Sequence, residues 1–352
     1  MATASLPKVV SVVLNWNGYH DTIECLESLL NSDYGAHHIL VCDNGSRDGS
    51  LAHFDAWARA TGISYATIGP PQADADDAAL IEAQCVFVGN RENLGYAGGN
   101  NVGIRLALER LGARYVWILN NDTVVDRMAA RHLTEFAERN PDVGIVGARV
   151  LQYYEPGRIQ ALGGGTINPA FARDTQTGRG RTWLGDDVLP VELEHAIGAS
   201  LFARAEAIRE CGYLDESYFL YREETDWCIR MRRGGWRILY CPDATVWHKE
   251  GASLGLKTVP HDYYSVRNML FLIKTYHPDR LVTALISSFA FTVMPKLSRF
   301  QLRRLGAVFA AFVDFFRGIR GKTIDPEDYY VAKQSEDRPI LRRESPRLPA
   351  QK

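Results

Sequence analysis

The sequence predicts an α/β fold on a mostly parallel central sheet, followed by a helical C-terminal extension. Three observations predict it. Short apolar, β-branched runs alternate with helical patterns through the first 120 residues, each run stops at a polar turn-forming loop, and beyond Tyr276 the texture changes to apolar and basic helical stretches. The composition agrees. Of 352 residues, 46% are hydrophobic and 23% charged, which excludes wholesale disorder and a polytopic membrane protein. Forty Lys plus Arg against 42 Asp plus Glu leave a net charge of -2, so no whole-chain footprint for nucleic acid exists. The six cysteines include no C-x-x-C pair and read as small buried residues in a reducing compartment. Only Lys8 precedes the six-residue apolar run at Val9, which is not a signal-peptide pattern, and the expected location is cytoplasmic.

Each element follows in order. Val9 to Leu14 is a strand closed by Asn15-Trp16-Asn17-Gly18, and Ile23, Leu26, Leu29 and Leu30 mark the next helix. Ile39 to Cys42 is a second strand, stopping at Asp43-Asn44-Gly45-Ser46; Ser50 then opens a helix through Leu51, Phe54 and Trp57. Cys85 to Val88 leads into a Gly/Asn-rich loop, Asn93 to Asn101, and a helix to about Leu111; Tyr115 to Leu119 ends at Asn120-Asn121-Asp122. In parallel sheets, ligands sit where loops leave the carboxyl ends of the strands. Turn chemistry would explain any one of these polar loops, but three at one sheet edge point to a ligand. Pro70 to Asp77, acidic and without periodicity, reads as a solvated excursion, and the basic Arg173 to Arg181 segment as a mobile loop that closes over a ligand.

The densest chemistry lies between His195 and Ser253. Asp226 to Arg233 reads as an amphipathic helix with Glu223, Glu224 and Asp226 around its N-terminus. Such acids cap helices, and capping is one reading. The other is a general base, because acids this close in an apolar neighbourhood raise one another's pKa. His248 ends a strand-like run, and Asp122 ends another. A carboxylate and an imidazole at two strand ends could share a divalent ion, leaving positions for phosphate oxygens.

The segments VSVVLNWNG, VCDNGSRDGS, NLGYAGGNN, WILNNDTVVD, IGASLFAR, LDESYFLYREETDWCIRMRRGGW and VWHKEGAS stand in one order along the chain. In that order they resemble the inverting glycosyltransferases of family 2, most of all a bacterial branch of rhamnosyltransferases acting on surface polysaccharides. The resemblance spans roughly residues 8 to 275, including Tyr263-Tyr264 and Arg267-Asn268. It implies a GT-A fold over residues 1–275 that binds a nucleotide sugar. Donor contacts are implied for Asn15, Asp43, Asn93, Gly95, Gly98, Gly99, Asn121, Gly198 and Ala199. Asp122 and His248 would hold Mg²⁺ or Mn²⁺. Glu224 falls at the family's catalytic base, beside Glu223, with Asp226 as the alternative base. Two positions depart from the pattern: the metal motif begins Asn120-Asn121, and the base position carries glutamate where aspartate is usual.

The implied reaction transfers L-rhamnose from dTDP-L-rhamnose to a glycan or lipid-linked glycan in cell-surface polysaccharide synthesis. A galactofuranosyl or hexosyl donor, or an inactive glycan-binding scaffold, are the alternatives. Residues 276–322 are expected to be helical. Leu281 to Met294 is an apolar stretch ended by Pro295, too short to span a bilayer. From Lys296 to Lys322, apolar residues at three- and four-residue spacing accompany seven basic residues and one acid, Asp314. That pattern suits peripheral contact with the inner face of a membrane or a homodimer seam through 296–322. Residues 323–352 read as a charged, flexible tail.

Overall fold

The computed structural model describes residues 6–69, 77–185, 192–250 and 258–329. Most of the acidic excursion, residues 70–76, and the tail beyond residue 329 lie outside the described residues. Strands β1 (Val9–Asn15), β2 (His37–Asp43), β3 (Tyr65–Ile68), β4 (Cys85–Gly89) and β5 (Tyr115–Asn120) alternate with helices α1 (Tyr19–Leu30), α2 (Ser50–Thr61), α3 (Asp77–Glu82) and α4 (Gly95–Glu109). They form a parallel sheet in the order β3-β4-β2-β1-β5. There follow β6 (Thr123–Val125), α5 (Ala129–Arg139), β7 (Val143–Gln152), β8 (Ile159–Leu162), β9 (Gly164–Asn168), β10 (Arg173–Gln176), β11 (His195–Ala196), β12 (Ser200–Arg204), α6 (Ala205–Cys211), α7 (Glu223–Arg233) and β13 (Arg237–His248). Antiparallel β12 joins β5 to β7, and β8, β9 and β10 extend the sheet as an antiparallel meander.

The sheet is covered on both faces because its strands are apolar on both. Along β1, Val9 and Val13 face a core completed by Leu26, Phe54 and Leu133 of α1, α2 and α5. Val10 and Val12 face the opposite core, with Ile104, Ala207 and Trp227 of α4, α6 and α7. The alternation is the period of two that any strand imposes on its side chains. A third core joins α8 (Val259–Tyr276) to α9 (Leu281–Ser298) and α10 (Leu302–Arg317) through Tyr263, Leu270, Ala284, Val293, Val308 and Phe315.

Several expectations change. The glycine-rich segment is helix and not loop from Gly95 onward, because its glycines face inward: a Cβ at Gly99 would meet Leu14, and one at Gly103 would meet Val12 and Cys42. The first part of the 173–181 segment is a paired strand, with Asp174 ion-paired to Arg222 at 2.8 Å. Pro295 does not end its helix. It sits in the last turn of α9, which with the preceding 3₁₀ turn runs over 278–298, long and apolar enough to cross a membrane by length and composition. A proline there costs a single backbone hydrogen bond to the preceding turn, which a helix end tolerates better than its middle. The first residues of the tail are docked: Tyr264 OH donates to the Ile324 carbonyl at 2.7 Å, and Arg47 pairs with Glu327 at 2.6 Å.

Candidate functional site

The carboxyl ends of β1, β2 and β5 meet in one polar network. Asn15, fully buried, donates from Nδ2 to Asp43 Oδ1 at 2.7 Å and to Ser50 Oγ at 2.9 Å, and its Oδ1 accepts from Thr22 Oγ1 at 2.7 Å. Asn121 Nδ2 donates to the same Thr22 oxygen at 3.0 Å. Asp43 is thereby tied to Asn121 through Asn15 and Thr22. Burial raises the Asp43 pKa above the ordinary value, opposed by its bonds from Ser46 and Asn15. Beside it, Asn44 Nδ2 donates to Asn93 Oδ1 at 3.0 Å and to the Gly95 carbonyl at 3.0 Å, fixing the turn that starts α4.

Above this network opens a cavity of about 310 Å³. Its walls come from the strand ends (Leu14, Trp16, Asn44, Asn120, Asn121, Asp122, His248), the start of α4 (Asn93, Gly95, Tyr96), the 197–199 turn, and the segment leading into α7 (Leu220, Tyr221, Glu223, Glu224). Gln160 and Glu250 complete it. Positions more than a hundred residues apart converge here because β5 and β13 both reach this edge, β13 through its antiparallel pairing with β6.

Asp122 and His248 face each other, with Oδ1 and Nε2 3.0 Å apart. His248 Nδ1 meets Gln160 Oε1 at 2.9 Å; a carbonyl oxygen accepts, so Nδ1 carries a proton and Nε2 is the atom left for Asp122 or an ion. Burial works against charging His248, but the Asp122 carboxylate outweighs it and the pKa is raised. Donors this far apart fit neighbouring positions of an octahedral ion, whose ~2.1 Å bonds hold adjacent ligands about 3 Å apart. Among the described residues no group of three or more His, Cys, Asp or Glu could hold a metal, so this pair would need outside ligands to complete a shell.

The acids sort themselves by direction. Glu224 lines the cavity, and so does Glu223, which is 3% exposed with Oε2 unpartnered. Burial, then the neighbouring Glu224 carboxylate, pushes the Glu223 carboxyl well above the usual carboxylate range. Asp226 is not brought to the cavity. It pairs with Arg230 at 2.7 Å and accepts from Tyr276 OH at 2.6 Å, which accounts for that acid as structural. Tyr96 OH donates to the Gly198 carbonyl at 2.6 Å and so joins α4 to the 197–199 turn, which lies beside the Glu224 side chain.

The segment delivering the two glutamates is strained. Phe219, Tyr221 and Arg222 have φ of 65°, 66° and 82°, a region that costs non-glycine residues about 1–3 kcal/mol each. Side chains of α8 hold it. Asn268 Nδ2 donates to the carbonyls of Tyr218, Leu220 and Tyr221 at 2.8, 2.7 and 3.0 Å, and the fully buried Arg267 braces Asn268 Oδ1 and the Gly321 carbonyl. Gly95, at φ +74°, clears the Phe219 carbonyl, to which Tyr96 N–H donates at 2.7 Å. A side chain at Gly95 would collide with that loop.

Of the residues singled out from sequence, the structure therefore brings Asn93, Gly95, Asn121, Asp122, Gly198, Ala199, Glu223, Glu224 and His248 to one cavity. Asn15 and Asp43 lie in the network beneath it; Gly98 packs against Leu94, and Gly99 against Leu14 and Asn44. Sequence reasoning missed Tyr96, Tyr221, Gln160 and Glu250. The two tyrosines lie inside motifs already noted. Gln160, in an ordinary apolar strand, carries no signal at all.

Residues 11–185 match the family model described as Glycosyl transferase family 2. The low-salt glycan biosynthesis hexosyltransferase Agl10 of Haloferax volcanii is 27% identical over 173 residues, 47% of this chain and 52% of that protein. The chain thus spans about half the length of that relative. The dTDP-rhamnosyl transferase RfbF of Shigella flexneri is 23% identical over 245 residues, 65% of this chain and 77% of that one. Among solved structures, the mannosyltransferase PcManGT from Pyrobaculum calidifontis, in complex with GDP-Man and Mn²⁺, superposes with a TM-score of 0.53 at 14% identity, covering 94% of this chain and 81% of that one. At that identity the likeness speaks for the fold, which is GT-A.

Proposed function

The chain carries a family 2 glycosyltransferase domain, and from that premise we propose that it transfers a sugar from a nucleotide donor to a glycan or lipid-linked glycan with inversion. The proposed catalytic unit is residues 1–275 with the helices of 276–322 packed on it. The observation that carries the proposal is the shared cavity of Asp122, Glu224 and His248. The acceptor hydroxyl oxygen attacks the anomeric carbon as the bond to the nucleoside diphosphate breaks on the opposite face, and Glu224 takes the hydroxyl proton. Asn93 and Asn44 bind and orient the donor, over the Asn15–Asp43 network. Asp122 and His248 would hold Mg²⁺ or Mn²⁺, which supplies positive charge for the departing diphosphate when bound. Glu223, pushed toward its neutral form by burial and by Glu224, would in that form donate a hydrogen bond to a sugar hydroxyl without adding charge beside the base.

The relatives support a rhamnosyl or hexosyl donor, with dTDP-L-rhamnose the first choice because RfbF matches over the longer stretch. Calorimetric binding of dTDP-L-rhamnose, UDP-galactofuranose and GDP-mannose, with acceptor-free hydrolysis followed with and without Mn²⁺, tests both levels. Metal-dependent binding and slow hydrolysis of dTDP-L-rhamnose are expected. Selection of another nucleotide sugar changes the donor, and binding of none removes the enzyme reading.

The clamp from α8 gives a further expectation. Asn268→Ala frees three carbonyls of the strained segment, so turnover should fall by about 10–10²-fold as Glu224 loses its register, while donor affinity stays near that of the parent protein. Initial-rate kinetics separate the two; an equal loss in donor affinity would mean general unfolding of the cavity instead.

A further inference from the structure

The helices α9 and α10 carry most of the exposed large apolar side chains of the molecule. Of nineteen such side chains among the described residues, twelve fall between Val282 and Ile319. In α9, an apolar helix of eighteen residues, only Ala284, Ser288 and Val293 are buried. In α10 the exposed Leu302, Phe309, Val313 and Phe316 recur at helical spacing on one face, and Phe300, between the helices, is 85% exposed. A contiguous apolar face of this size on a folded domain marks an interaction surface.

The charges beside it decide what covers it. Lys296 and Arg304 are spent on Asp262 at 3.0 and 2.5 Å, Lys322 on Asp325 at 2.9 Å, and the acid of this stretch, Asp314, accepts from Tyr263 OH. Arg320 is turned to the Phe271 ring, 4.2 Å away, and to Ser217, so the exposed Arg299, Arg303 and Arg317 remain to flank the apolar face. A second copy docked on it about a twofold axis would bring three arginines against three. An anionic lipid surface meets both requirements, apolar depth and negative charge.

We propose that the face formed by α9, Phe300 and α10 lies on the headgroup and upper acyl region of an anionic bilayer. The helices lie along the surface and do not cross it. Lys296 pins the end of α9 to Asp262 of α8, Ser287 Oγ donates to the Ala170 carbonyl at 3.2 Å, and Phe291 packs on Phe171 with the Arg173 guanidinium 4.5 Å from its ring. A spanning α9 would have to give up all of these contacts. The bilayer would then lie under α8, whose Asn268 holds the segment carrying Glu223 and Glu224. The proposal does not depend on the sugar-transfer reading.

The test uses the full chain with phosphatidylcholine vesicles and with mixed phosphatidylcholine–phosphatidylglycerol vesicles in a sedimentation assay. Binding to the mixed vesicles alone, weakened by salt, is expected. Arg303→Gln and Arg317→Gln should each weaken it about fivefold, and Phe300→Ser with Phe316→Ser should abolish it, with thermal unfolding unchanged because both side chains are exposed. Absence of binding by the parent chain, or equal binding by these variants, overturns the proposal. So does a concentration-dependent dimer, seen by analytical ultracentrifugation, that the Phe300→Ser, Phe316→Ser double variant dissociates.

Discussion

Glu224→Gln is expected to lower turnover by about 10²–10⁴-fold with donor affinity close to that of the parent protein, the size expected when the proposed general base is removed and nothing else changes. Glutamine keeps the shape of the side chain and its contact with Thr225, and removes only the capacity to take a proton. The adjacent position gives the internal control. Glu223 has an unpartnered, buried carboxyl oxygen and is pushed toward its neutral form by burial and by Glu224. A neutral carboxamide should replace a neutral acid well, so Glu223→Gln should keep most of the turnover while Glu223→Ala does not. Single-turnover product formation alongside donor titration distinguishes these cases. If Glu223→Gln is the variant that fails and Glu224→Gln survives, the two roles are exchanged.

Asp122→Ala is expected to reduce Mn²⁺ affinity by more than the about 10–100-fold that loss of an outer partner costs, and Gln160→Leu by about that outer-partner amount. In the proposed site the Asp122 change takes away one of two protein donors, whereas Gln160 would act only by orienting His248, which it meets at Nδ1. Electron paramagnetic titration of free Mn²⁺ measures both without any turnover, and the donor dissociation constant with metal should rise in the same order. Parent-like Mn²⁺ affinity in both variants would locate the ion elsewhere.

The parallel half of the fold was legible because β1, β2, β4 and β5 are apolar on both faces and end at polar turns, a pattern that periodicity detects directly. The antiparallel half was not. β9 and β10 are short and made mostly of Gly, Thr and other polar residues, and only their cross-strand pairing and the Arg222–Asp174 ion pair make them strands. The start of α4 was misread for a related reason: Gly95, Gly98 and Gly99 look like a loop in one dimension, and what makes them helical is the nearness of Leu14, Asn44 and Phe219. Within the cavity, Asp122, Glu224 and His248 stood out by residue type and resemblance. Asp226 stood out equally, and nothing short of the Arg230 and Tyr276 contacts separates it from its neighbours. The α8 clamp was visible only as the motif Arg267-Asn268, with no hint that its target was the backbone of 218–221.

The docking of residues 321–324 beneath Tyr264 and Arg267 bears on how the protein can be shortened or fused. A chain trimmed at Tyr276, where the composition changes, would lay bare Tyr263, Leu270 and Phe271 and strip Arg267 of two oxygen partners. Grafts that swap partner preference between relatives should therefore carry the stretch from Val259 to Tyr329 as one cassette, with the splice on its far side.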